Sequence, residues 1–256
     1  MTLSAPDTIL QRLKKAQRVV ALTGGGIAAE SGFPSFAQAQ QGKWAEYDVS
    51  ELATPQAFVR NPRLVWEWYD YRRRLAEKLE PGVSHHALVE LERYYPEFTL
   101  ITQTIDGLHA RSGLRNLIEI NGALRRSRCF ESGDLFLTWE EDGAVPPRCP
   151  HCGSPLRPDV VMFGEGLPQA ELRRAQRAVE QCDLLLCVGT VGAIEPIASF
   201  PFVARRVGAL VISIAPEDSI YTLMADHVIP TTPGAVLPEI VQTITGEHGG
   251  LRAEAL

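Results

Sequence analysis

Three consecutive glycines, Gly24, Gly25 and Gly26, follow an apolar run at residues 19–22 and open a helix-compatible stretch. Backbone without side chains can approach a pyrophosphate closely there, with helix N–H groups pointing at it. Alone, such a turn fits a plain structural turn equally well. Gln103 and Asp106 lie just past a second apolar run at 98–102, and Gly189 and Thr190 just past a third at 184–188. If these runs are parallel strands, all of these groups meet at the carboxyl edge, where such sheets hold ligands. A second constellation is made of sulfur. Cys149 and Cys152 form a C-x-x-C knuckle, and Cys129 opens what should be another, with Ser132 in place of its second cysteine. The interval from Ser132 to Cys149 suits a zinc ribbon, but three cysteines leave the metal site incomplete. Glu131, Asp134, His151 or water could complete a tetrahedron; the other reading is a metal-free module held by packing. Third, Tyr69 and Arg72 share one face of a predicted helix. A guanidinium fork and a phenol suit a small carboxylate in an apolar pocket. With Arg73 and Arg74 beside them, the same residues also fit the solvated basic end of a surface helix.

The elements that must position these groups read as α/β. Strand-length apolar runs recur at residues 19–22, 98–102, 117–120, 184–188, 210–214 and 228–229. Most are too continuous to alternate, as expected of parallel strands buried on both faces. Helical periodicity at 62–79, 86–93, 169–181, 196–206 and 235–245 supplies the crossovers. The expected fold is a Rossmann-like, doubly wound parallel sheet. Two insertions interrupt it, a helical one at about 33–79 and a small cysteine-containing, zinc-ribbon-like module at about 126–165. One domain over 1–256 is the expectation, without repeats or low-complexity linkers.

The 256 residues, 45% of them apolar, suffice for one well-buried core. A formal charge of −6 argues against a nucleic-acid binder, which would concentrate Lys and Arg on one face. The sequence has no run of about 18 apolar residues and no apolar h-region near its start, so neither a membrane span nor a signal peptide is expected. Five cysteines, three of them clustered, fit a reduced, cytoplasmic setting.

Several segments, in order, resemble a known family. They are Thr23-Gly24-Gly25-Gly26-Ile27-Ala28-Ala29-Glu30-Ser31-Gly32-Phe33-Pro34-Ser35-Phe36, Thr102-Gln103-Thr104-Ile105-Asp106-Gly107-Leu108-His109 and Arg157-Pro158-Asp159-Val160-Val161-Met162-Phe163-Gly164-Glu165. Val188-Gly189-Thr190 and Val211-Ile212-Ser213-Ile214-Ala215-Pro216-Glu217 extend the match over roughly residues 10–245. Together they resemble the sirtuins, NAD-dependent protein deacylases. The resemblance implies NAD as cofactor and an acyl-lysine protein or peptide as partner, with Ala28, Glu30, Gln103 and Thr190 lining the NAD pocket. Ala215 stands in place of an asparagine at the adenosine end, and Val191 in place of a serine. Val161, Phe163 and Gly164 would flank the substrate peptide, with Met162 where a tryptophan or tyrosine is usual. The segment Trp66-Glu67-Trp68-Tyr69-Asp70-Tyr71-Arg72-Arg73 resembles that of the class III members, which favour succinyl- and malonyl-lysine.

The departures fall on the chemistry. Sirtuins use a histidine to take a proton from a ribose hydroxyl of NAD, and Asn121 occupies that position. A carboxamide has no titratable site near neutral pH, which removes a general-base contribution of roughly 10²–10⁴-fold. Thr104 replaces an asparagine that orients the nicotinamide ribose and its water. Ala37 replaces an arginine that organises the nicotinamide end. The expectation is a protein that binds NAD or ADP-ribose and is impaired or inactive as a lysine deacylase. Two alternatives stay open: a deacylase with substitute chemistry, or an NAD hydrolase or ADP-ribosyltransferase.

Overall fold

The computed structural model describes residues 6–140, 143–190 and 195–246. Among these residues nine strands make two sheets. In chain order they are β1 Arg18–Thr23, β2 Glu97–Thr102, β3 Leu117–Glu119, β4 Gly122–Cys129, β5 Leu135–Phe136, β6 Leu156–Val160, β7 Leu184–Val188, β8 Leu210–Ile214 and β9 His227–Ile229. The larger sheet has the order β3-β2-β1-β7-β8-β9 and every pairing in it is parallel.

Alternate residues of each run face opposite sides, which explains their unbroken apolarity. Val19, Ala21, Leu184 and Leu186 pack beneath Leu88 and Leu91 of the helix Val83–Tyr94 and Leu237 and Ile240 of the helix Pro233–Thr245. Val20, Leu22, Leu185 and Cys187 pack beneath Ala175 and Val179 of the helix Gln169–Gln181 and Phe200 and Ala204 of the helix Phe200–Arg206. Both faces are thus covered, as a parallel sheet requires. The chain winds outward from β1 in one direction and from β7 in the other, so the switch point, where such folds bind ligands, lies between those two strands.

Between β1 and β2 come short helices and the longer helix Pro62–Glu77. Asn61 starts the long helix by accepting the Leu64 N–H at 3.1 Å, and Pro62 occupies its first turn. This helix has two buried sides. Trp68 joins a core with Phe33, Trp44, Leu52 and Phe58, while Trp66 packs with Cys129 and Leu156 of the small sheet and with Cys149 of the loop before β6. That second sheet, β5-β4-β6, is antiparallel. Gly122 makes the approach of β4 to β6 possible: its φ is +78°, and a Cβ there would overlap the Asp159 carbonyl.

Candidate functional site

A cavity of about 680 Å³ opens between the carboxyl edge of the large sheet, the helical insertion and the end of β6. Among the residues singled out from sequence it brings together Gly25, Ala28, Gln103, Thr104, Asn121, Tyr69, Arg72, Val161, Phe163 and Gly164. The three glycines divide their roles. A Cβ on Gly24 would come within 2.7 Å of Thr190 Cβ, and one on Gly26 within 2.8 Å of Gly189 Cα. These two let the turn after β1 pack against the turn after β7. Gly25 meets nothing within 4 Å and alone of the three faces the cavity.

Gly189, Thr190 and Ala215 lie beside this wall rather than in it. Gly189 N–H donates to Ile214 O at 2.8 Å and Ala215 N–H to Ile229 O at 3.3 Å, which ties the ends of β7, β8 and β9 together. Thr190 Oγ1 donates to Gln103 Oε1 at 3.0 Å across the switch point. Val191 lies outside the described residues. Glu30 is placed off the cavity: its carboxylate accepts from the Ser84 hydroxyl and from Gly234 N–H (2.8 Å), at the first turns of two helices. It anchors the glycine-rich segment by accepting from one side-chain hydroxyl and from one backbone N–H that a helix start leaves open.

Asn121 sits between β3 and β4, half-buried in the cavity wall, with Nδ2 donating to Gln103 O at 2.9 Å. Thr104 is buried, its hydroxyl engaged by Thr102 Oγ1 at 2.9 Å. Ala37 is exposed on the short helix Phe36–Ala39 at the cavity rim. Asp106 is buried: one carboxylate oxygen accepts the Leu108 N–H at 2.8 Å and the other has no partner among the described residues. Burial pushes its carboxyl up. Of the ionisable groups in the cavity wall, Glu165 is held by Arg157 at 2.5 and 2.9 Å; burial would raise its carboxyl, but Arg157 outweighs that and keeps it low. His85 and His109 stay out of the cavity. Their rings lie 4.7 Å apart beneath the glycine-rich turn, with His109 Nε2 3.0 Å from Thr23 Oγ1.

Arg72 is 6% exposed, and its guanidinium lies over the rings of Phe33, Phe36 and Trp68 at 5.0, 5.7 and 5.8 Å. Nη2 donates to Pro34 O at 3.2 Å, and Nε has no partner among the described residues. Burial lowers its pKa, yet a guanidinium stays protonated in proteins. Tyr69, also buried and in the cavity wall, has its phenol pushed up by burial and remains a neutral donor. The aromatic clamp around Arg72 escaped the sequence reading. The spacing of Tyr69 and Arg72 was visible there, but Phe33 and Phe36 come from a different segment.

The sulfur atoms of Cys129, Cys149 and Cys152 lie within 4.8 Å of one another. Their convergence at the ends of two loops fits a thiophilic metal, and these three residues would hold a structural zinc ion. Cys182 and Cys187 are remote and buried, with thiols pushed up by that burial.

The model of the Sir2 family matches residues 24–196, most of the chain and all of the cavity wall. The chain belongs to the Sir2 family. An NAD-dependent protein deacylase of Aquifex aeolicus is 45% identical over 232 residues, covering 90% of this chain and 97% of the relative. A deacylase of Pyrobaculum aerophilum, NAD-dependent protein deacylase 2, is 42% identical, covering 91% and 93%. Among solved structures, a complex of a Sir2 homologue with NAD superposes with a TM-score of 0.86 at 39% identity, covering 94% of each chain. Sir2Af2 bound to a myristoylated histone peptide gives 0.72 at 32% identity, covering 93% and 95%. No helix among the described residues of this sirtuin is long and apolar enough to cross a membrane.

Proposed function

We propose that this sirtuin binds NAD or ADP-ribose together with a lysine bearing a short acidic acyl group, and that its deacylase turnover is impaired. Asn121 carries the reading. It lies in the cavity wall at the position of the family's proton acceptor, its Nδ2 committed to Gln103 O (2.9 Å). Its Oδ1 can accept a hydrogen bond from a ribose hydroxyl but cannot remove the proton. The engaged Thr104 hydroxyl and the Ala37 methyl add to the deficit. Gly25, Ala28 and Gln103 keep a wall for the nucleotide. Arg72, buried and short of a partner at Nε, is the group in that cavity best suited to an acyl carboxylate, with Tyr69 as second donor. Five unpaired cysteines support a cytoplasmic setting.

A second reading is favoured by Asp106, which follows Gln103, Thr104 and Ile105 of the cavity wall and whose buried carboxyl has one oxygen without a partner among the described residues. A carboxyl with a raised pKa can serve as a substitute base, giving a deacylase or an NAD-cleaving enzyme. The first reading is tested by the variant Asn121→His with Thr104→Asn and Ala37→Arg, assayed for desuccinylation of a lysine peptide. Turnover should rise by about 10²-fold or more, while ADP-ribose continues to raise the melting temperature of both proteins. No gain in a variant that still binds ADP-ribose would refute it.

A further inference from the structure

We propose that Ser132 is the fourth zinc donor of the small module, made competent as an oxygen ligand by Asp134. The observation behind it is an internal correspondence between two loops. In the second loop, Cys149 N–H donates to Ser154 O (2.8 Å) and Gly153 N–H to Cys149 O (2.9 Å), with Gly153 at φ +75°. In the first, Cys129 N–H donates to Asp134 O (2.9 Å) and Gly133 N–H to Cys129 O (3.0 Å), with Gly133 at φ +76°. The two loops share one backbone conformation. Cys152 of the second therefore corresponds to Ser132 of the first, and Cys152 is one of the three converging sulfur ligands. Ser132 also donates its backbone N–H to Cys129 Sγ at 3.4 Å, which keeps it at the cluster.

The hydroxyl's bonding capacity fits the role. A serine hydroxyl has one proton and two lone pairs. Ser132 Oγ donates its proton to Asp134 Oδ2 at 2.8 Å and accepts Asp134 N–H at 3.3 Å. One lone pair is left for a metal. A carboxylate accepting the proton of a ligand raises that ligand's basicity, as the outer partners of metal sites do. The other oxygen and nitrogen candidates sit less well. His151 is exposed, its ring 5.8 Å from Phe136, and neither His151, Glu131 nor Asp134 joins the converging group. Three thiolates and a serine oxygen give a site of lower negative charge than four thiolates.

The test uses the full chain, zinc itself and a competing chromophoric chelator, with cobalt(II) absorption as a second readout. Ser132→Ala and Asp134→Asn should each weaken zinc binding by about 10- to 100-fold. Ser132→Cys should tighten it and strengthen the cobalt–thiolate charge-transfer band by roughly a third, one thiolate having been added to three. Zinc affinity and cobalt spectrum of Ser132→Ala equal to those of the natural chain would overturn the proposal in favour of a water ligand. A natural chain that takes up no stoichiometric zinc would overturn it as well. If Ser132→Ala does not fold, Ser132→Cys decides: an unchanged cobalt band means position 132 does not reach the metal.

Discussion

At the scale of the residue, the proposed binding without turnover rests on Asn121 for the lost proton transfer and on Arg72 for the retained acyl recognition. Asn121 turns one end of its carboxamide to Gln103 O and leaves an acceptor for a ribose hydroxyl. Arg72 is a buried cation enclosed by Phe33, Phe36 and Trp68. Such a charge is costly to bury without a counter-ion, and a ligand carboxylate would relieve that cost. Arg72→Leu should therefore lower affinity for a succinyl-lysine peptide by about 10-fold or more, the worth of one charge-assisted hydrogen bond. An acetyl-lysine peptide should be affected far less. Calorimetric titration of the two peptides against natural and variant protein, with ADP-ribose present, measures the difference; equal losses for both would argue against carboxylate recognition. Arg72 and Tyr69 were legible in the sequence because their helical spacing is local. The division of labour among Gly24, Gly25 and Gly26 was not, since it depends on where Gly189 and Thr190 arrive from far along the chain.

At the scale of elements, the short connection between β3 and β4 places Asn121, and Gly122 permits it. Gly122→Ala should destabilise the fold by at least about 2 kcal/mol, through left-handed backbone strain and the overlap with Asp159 O. Gly166→Ala, where a Cβ meets nothing within 4 Å, is the matching control and should leave the urea midpoint nearly unchanged. The central strands β1, β7 and β8 were readable because burial on both faces makes them almost continuously apolar, whereas the edge strand β9 is half-buried and begins with His227. The small sheet was not readable. Its β4 carries Arg125, Arg126 and Arg128, which look like solvated charges but are consumed by Glu119 and Asp159. Asp159 is 2% exposed, and Arg126 bridges it to Glu119 with 2.7 Å contacts on each side. A run of arginines gives no hint of such partners, Glu119 at the end of β3 and Asp159 on the neighbouring strand β6, 31 and 33 residues from Arg128 and Arg126. The end of the chain shows a similar limit: the last helix begins at Pro233 and continues through Pro238, where the sequence pattern placed its start at 235.

At the scale of the whole molecule, two buried histidines, His109 against Thr23 and His85 against Ser31 and Gly82, make stability depend on pH. His85 is lowered to about 4 by burial, with His86 adding to the effect, and burial drives His109 well below its usual value. Both stay neutral in the native protein and take up protons on unfolding, so the unfolded state binds more protons as pH falls below about 6.5. Stability is therefore retained above that pH and lost as pH drops toward 4, by about 1.4 kcal/mol per pH unit for each histidine fully titrating in the window. His85→Gln should flatten the dependence of the urea midpoint between pH 6.5 and 5 relative to the natural chain; parallel curves would show that His85 does not contribute. The central claim, a sirtuin fold that binds its nucleotide without completing the family's reaction, is met most directly by chromatographic quantification of nicotinamide released from NAD by the purified protein, with and without a succinyl-lysine peptide. The prediction is no release above buffer in either case, and peptide-dependent release at the pace of an active deacylase would contradict it.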